Sequence, residues 1–242
     1  LEPSSISFPF RKLFNGYQDI HFRLAEARQI YPDQKVLQTS IGKIEYDYLI
    51  LAAGTTSNFF GNKRIEEAAM PMKSLSEAMG LRNALLSNLE RSITCATSQE
   101  RRELLNVVIV GGGATGVEIA GAMAEMKRYV LPKDYPEIDC NDLHIFLIEA
   151  GMSPVSSRKA EEFLHRMGVQ IYLHKRVTDF VAHKVILEDG MEIPTRTFIW
   201  VSGVRANEIG NLPPTITGRG GRILVDAYNQ VKGMNHVFCI GD

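Results

Sequence analysis

The segment NVVIVGGGATGVEIAG, Asn106 to Gly121, decides the fold. Val107 to Val110 is an apolar run of β-branched residues, which marks a strand covered on both faces. Gly111 permits a tight turn. Gly113 lets the backbone approach a ligand's phosphates, and Gly116 lets a helix pack closely on the strand. The first turn of that helix leaves backbone N–H groups without intrahelical partners, and its dipole favours an anion there. The pattern predicts a strand, a turn and a helix that together hold the pyrophosphate of a dinucleotide.

Glycine turns are common, but here a second strand follows, HIFLIEAG, from His144 to Gly151. It ends in Glu149, an acid at the ribose-binding position. Glu149 lies farther from the glycines than the roughly 20 residues usual for such an acid. The polar segment Leu131 to Asp142, with Pro132 and Pro136, is therefore expected to be a loop inserted before the strand. A carboxylate at Glu149 would accept from the 2′- and 3′-hydroxyls and repel a 2′-phosphate, which favours NADH over NADPH. The alternative is an acid that merely caps a strand in solvent.

The chain has 242 residues, 45% hydrophobic and 23% charged, with a net charge of −1. That suits one large or two small α/β domains. The balanced charge gives no sign of a nucleic-acid surface, which needs clustered positive charge. No apolar run reaches the roughly 18 residues of a membrane span, and the first residues do not read as a signal peptide. Cys95, Cys140 and Cys239 are too scattered for a C-x-x-C pair or a zinc site, and their usage fits a reduced, cytosolic setting. The histidines are dispersed, and no metal is assigned.

Outward from the glycine turn, several elements are legible. Ile20 to Val36 is expected to form a strand with a turn at Pro32–Asp33, and Lys43 to Gly54 a strand entering a glycine turn. Ser74 to Thr94 carries Leu75, Ala78, Met79, Leu85, Leu86 and Leu89 at helical spacing, opened by a capping box of Ser74 and Glu77. Ser157 to Met167 reads as an amphipathic helix stopped by Gly168, and Val169 to Val177 as the next strand. Thr178 to Ile193 reads as two strands around a turn at Glu188–Asp189–Gly190, and Thr197 to Gly203 as a buried strand. NHVFCIGD, Asn235 to Asp242, reads as a strand whose closing Gly-Asp points to a site at the carboxyl edge of a sheet. Neither end resembles a domain end, so an internal fragment of a longer protein is expected. The expected fold is α/β, with a nucleotide domain over residues 100–204, a linker helix over 71–99, and a second domain made of 1–70 and 205–242.

These motifs, in this order, resemble the two-dinucleotide flavoprotein reductases of the pyridine nucleotide-disulfide oxidoreductase superfamily. Within them the chain is most similar to the type II NADH dehydrogenases, the FAD-dependent, non-pumping NADH:quinone oxidoreductases. The likeness is carried by YDYLILAAG (Tyr46 to Gly54), NFFG (Asn58 to Gly61), Gly111 to Gly121, FLIEAG (Phe146 to Gly151), WVSGV (Trp200 to Val204) and VFCIGD (Val237 to Asp242). The opening Leu1 to Ile6, with Phe10 to Leu13, shares it.

The resemblance implies two Rossmann-like domains, the NADH domain inserted into an FAD domain that is incomplete in this sequence. It implies that Gly111, Gly113 and Gly116 hold the NADH pyrophosphate, with contacts from Ala114 and Thr115, and that Glu149 holds the adenosine ribose. Glu118 matches an acid close to nicotinamide and flavin, while the alternative is an acid that satisfies the helix dipole. Gly203 would line the nicotinamide end of the path, whereas Trp200 has a simpler reading as core. Ala53 and Gly54 would pass close to FAD, Gly241 and Asp242 would meet its pyrophosphate and ribityl chain, and Ala27 would offer main chain to its adenine. The implied partners are a quinone and a membrane surface, reached through a C-terminal segment not in this sequence; a homodimer is also compatible. The implied location is cytoplasmic, peripheral on the inner face of a bacterial cell membrane. Two alternatives stay open: another flavoprotein disulfide, sulfide or ferredoxin reductase, or a non-catalytic NADH-binding module.

Overall fold

A computed structural model of the chain describes residues 7–151 and 154–241. The opening Leu1 to Ile6 and Asp242 lie outside the described residues. Contacts divide the chain into two units, Leu1–Thr56 with Val204–Asp242, and Ser57–Gly203.

In the first unit a single helical turn, α1 (Phe10–Leu13), precedes short strands. Strands β1 (Ala27–Tyr31), β2 (Val36–Thr39) and β3 (Gly42–Glu45) form an antiparallel meander. The strand expected from Ile20 thus starts only at Ala27. Pro32 opens a 3-10 turn, and Lys35 takes a left-handed φ of 52° that returns the chain. β4 (Leu49–Leu51) pairs in parallel with β15 (Val237–Cys239). The single strand expected from Lys43 is therefore split at Tyr46–Tyr48, because β3 pairs with β2 and β4 with β15, and the chain changes sheet between them. β5 (Thr55–Ser57) leads out of the unit and β14 (Val204–Ala206) leads back. Ile30, Leu51, Val231 and Val237 form its core.

In the second unit β7 (Asn106–Val110) is buried along its whole length. It is the centre of a parallel sheet in the order β6 (Met70–Pro71), β13 (Thr197–Trp200), β7, β8 (His144–Glu149), β9 (Gln170–Leu173). This is a Rossmann-type α/β arrangement. Alternate residues face opposite layers, as a pleated strand requires. Val107 and Ile109 pack with Leu81, Leu85 and Leu89 of a long helix and with Ile119 and Leu164 of two others. Val108 and Val110 pack with Phe146, Phe198 and Trp200, and with Val185, Leu187 and Ile193 from a small antiparallel sheet.

The helices run α2 (Lys63–Ala68), α3 (Leu75–Thr94), α4 (Ser98–Leu105), α5 (Ala114–Glu125), α6 (Leu131–Asp134) and α7 (Pro154–Arg166). α3 starts with the expected capping box of Ser74 and Glu77 and is part of the second unit. The loop expected from Leu131 is partly helical. α5 runs through a π-helical turn, Met126–Val130, into α6, which carries Pro132 as its second residue. The strand expected over Val169–Val177 stops at Leu173, because His174 has a φ of 55°. Three strands stand where two were expected: β10 (Val177–Val181), β11 (Lys184–Leu187) and β12 (Glu192–Pro194). The turn at Glu188–Gly190 joins the last two, and a second turn at Ala182–His183, both with positive φ, joins the first two.

At the amino end of the sheet, polar side chains tie β13 to β7. Thr195 Oγ1 donates to Asn106 O at 2.6 Å, and Asn106 Nδ2 donates to Pro194 O at 2.7 Å. Asn88 Nδ2 of α3 donates to Thr197 Oγ1 at 3.0 Å, and Arg196 pairs with Glu103 at 3.2 Å.

Candidate dinucleotide site

The glycine turn stands at the carboxyl end of β7. Gly111 has a φ of +113°, and a Cβ there would lie 2.8 Å from the backbone of Val201 and Ser202. Both the turn and the neighbouring strand end thus require glycine. A Cβ on Gly116 would stand 1.7 Å from the Gly111 carbonyl oxygen, so the close packing expected of Gly116 is against the turn itself. A Cβ on Gly113 would meet nothing within 4 Å. The protein gives no packing reason for glycine at Gly113, whereas a ligand approaching the backbone would.

Gly113 caps α5, and no acid lies in the helix's first turn. Ala114 and Thr115 are exposed there, beside N–H groups that an α-helix leaves without internal partners. The positive end of the helix, with Ala114 and Thr115 exposed at it, suits a phosphate. Glu118 is exposed one turn further on. That is beyond the first turn, where the dipole fades, so the reading of Glu118 as a dipole-satisfying acid loses its physical basis.

Glu149, at the end of β8, is half-buried and bonded to backbone on both oxygens. One accepts from Gly112 N at 2.5 Å and the other from Gly151 N at 2.6 Å. It is therefore no mere strand cap in solvent. Each oxygen keeps a lone pair for a further donor, and the carboxylate faces the glycine turn.

Gly203 ends the same edge. Its φ is +79°, and a Cβ on it would stand 2.8 Å from Phe60 Cζ. Trp200, 4% exposed, belongs to the core, as its simpler reading held. Its indole N–H donates to Asn58 O at 2.9 Å, so the NFFG segment is docked onto the end of β13.

In the first unit, Ala53, Gly54 and Gly241 line one cavity of about 470 Å³. Asn207 and Arg222 also line it, and Arg222 is the one charged side chain among its described lining residues. Asn207 fastens the Ala53–Gly54 turn twice, through its backbone N–H to Gly54 O at 3.1 Å and its Nδ2 to Ala53 O at 2.8 Å. No sequence motif had marked either residue. Ala27, exposed at the start of β1, is not part of this lining. The cavity surface is about equally polar and apolar and carries one cation, a composition that accepts a ring system bearing phosphate. The cysteines are free and half-buried. Among the described residues, no helix is long and apolar enough to cross a membrane.

Known proteins resemble this chain along most of its length. The type II NADH:quinone oxidoreductase NdhA of Mycobacterium tuberculosis is 32% identical over 212 residues, covering 81% of this chain and 45% of that protein. A probable NADH dehydrogenase of Dictyostelium discoideum is 30% identical over 207 residues, covering 83% and 46%. The structure of NDH2 from Plasmodium falciparum in complex with NADH shares the fold, with a TM-score of 0.81 and 23% identity, covering 90% of this chain and 49% of that one. The chain spans less than half the length of each of these three relatives. The family described as pyridine nucleotide-disulphide oxidoreductase matches residues 3–242, and the chain belongs to that family.

Proposed function

We propose that the chain is the dinucleotide-binding part of an FAD-dependent NADH dehydrogenase that delivers electrons to a quinone. The observation that carries this reading is the glycine turn: Gly111 and Gly116 closed by their own packing, Gly113 open, and Glu149 set against Gly112. Relatives named NADH:quinone or NAD(P)H-ubiquinone oxidoreductases support it.

A bound flavin would supply the redox chemistry between NADH and a quinone. The residues of this chain bind, orient and exclude water. Gly111, Gly113 and Gly116, with the N–H groups of Ala114 and Thr115, hold the NADH pyrophosphate, and Glu149 holds the adenosine ribose. Glu118 and Gly203 serve the nicotinamide end. Ala53, Gly54 and Gly241, with Arg222, receive the phosphate and ribityl part of FAD. Asp242 and Ala27 keep the roles that the resemblance implies, on the ribityl chain and the adenine, although Ala27 is outside the cavity lining and Asp242 outside the described residues. Membrane attachment, at the inner face of the cell membrane, and a homodimer belong to the same proposal for the whole protein.

The test is a visible absorbance spectrum of the protein after incubation with FAD and desalting, then after anaerobic NADH. The expected result is retained flavin that bleaches with NADH and recovers with added quinone. Retained flavin that NADH leaves oxidised would overturn the assignment.

A further inference from the structure

We propose that Phe60 is a positioning residue for the nicotinamide end of the dinucleotide, a flat apolar wall at the carboxyl end of β13. The proposal rests on the reading of Gly111–Gly116 as a dinucleotide turn and deepens it.

The backbone gives the first argument. Phe60 has a φ of 53°, in the left-handed region that an aromatic residue avoids. Such a conformation persists only where the surroundings impose it, and it concentrates at ligand clamps and active sites. Here Asn58 imposes it. Asn58 Oδ1 accepts from Phe60 N at 2.9 Å, Asn58 N donates to Gly203 O at 3.2 Å, and Asn58 O accepts from the Trp200 indole at 2.9 Å.

The ring gives the second. It lies over Gly203, whose missing side chain makes the space, and stands edge-on to Trp200 at 6.4 Å. Yet Phe60 remains 68% exposed. Its neighbour Phe59 points into the core, so hydrophobic burial explains Phe59 and leaves Phe60 without an account. A strained backbone that holds a large ring in the open gains little stability from it.

Topology supplies what the ring faces. β8, with Glu149, lies on one side of β7, and β13 lies on the other. Ligands of open α/β sheets bind outside the carboxyl ends of the strands, where the strand order reverses. A dinucleotide with its pyrophosphate on the glycine turn and its adenosine ribose at Glu149 sends its second nucleotide over β13. The end of β13 runs through Val201 and Ser202, which already touch Gly111, to Gly203 and the Phe60 ring. A flat aromatic face there matches the flat nicotinamide ring.

The experiment compares NADH with ADP-ribose, which keeps the pyrophosphate and adenosine but lacks nicotinamide, by calorimetric titration of the whole protein. Phe60→Ala is expected to weaken NADH about tenfold and leave ADP-ribose within twofold. Phe60→Tyr, which keeps the flat face, is expected to restore NADH binding. Equal weakening of both ligands, or no change in either, overturns the proposal and leaves Phe60 a structural residue. Wild-type protein that binds neither ligand sinks the dinucleotide reading itself, and this proposal with it.

Discussion

The Glu149 carboxylate accepts the backbone N–H of Gly112, so the acid that ends one strand braces the turn that ends the next. On the proposed reading, ribose recognition and turn geometry share one side chain. Glu149→Gln keeps the size and removes the charge, while its amide can bond only one of the two N–H groups through oxygen. NADH affinity is expected to fall about tenfold, in line with the loss of a charged hydrogen bond. NADPH is expected to gain relative to NADH. Dissociation constants for both nucleotides check this, and an unmoved ratio removes the ribose assignment.

Two glycines of the turn are expected to respond oppositely to the same methyl group. Gly116→Ala places a Cβ 1.7 Å from a carbonyl oxygen. Overpacking of this kind costs about 1–3 kcal/mol or more, a Tm loss of about 5 °C. Gly113→Ala meets no protein atom and has an ordinary φ of −66°. Its Tm is expected to stay within about 1 °C while NADH affinity falls. Differential scanning fluorimetry beside a binding titration separates the two.

Arg222 is the cation in the first unit's cavity. Arg222→Ala is expected to weaken FAD about tenfold, with riboflavin, which lacks phosphate, unaffected. Fluorescence titration with the two flavins is the measurement. Parallel losses show that the cavity has lost shape rather than charge.

His144, at the start of β8, is held neutral below its ordinary value of 6.5 by burial, with the Lys127 ammonium adding to it. The unfolded chain takes up that proton first. The stability it contributes is therefore complete above pH 6.5 and is lost as pH falls through the depressed folded value. His144→Gln is expected to flatten that part of the acid limb in urea titrations between pH 7 and 5. An unchanged slope refutes the assignment.

Much of the second unit was legible because its signals are local. β7 and the glycine turn announce themselves by β-branched burial and spacing, and α3 by a capping box. α4 went unread in the sequence, although Thr97 Oγ1 accepts the Glu100 N–H at its start at 3.1 Å. The turn at Ala182–His183 was illegible, because neither residue is one that normally takes a positive φ. The break at Tyr46–Tyr48 depends on which strands pair, a long-range choice that no window of sequence contains. The same holds for the site: Glu149 could be found by its place after a strand, whereas Asn58 and Asn207 act through contacts with residues far along the chain, and Arg222 lines a cavity together with Ala53 and Gly54.

The polar ties at the amino end of β13 and β7 reach further than their place suggests. Sliding one strand past the other by a single residue turns every side chain to the wrong layer, and the bonds of Thr195 to Asn106 and of Asn88 to Thr197 oppose that slide. They work like the first tooth of a zip: alignment set there determines whether Gly111 meets Val201 and Ser202 correctly at the far end. On the proposed reading, the nucleotide site is thus calibrated from the opposite edge of the sheet.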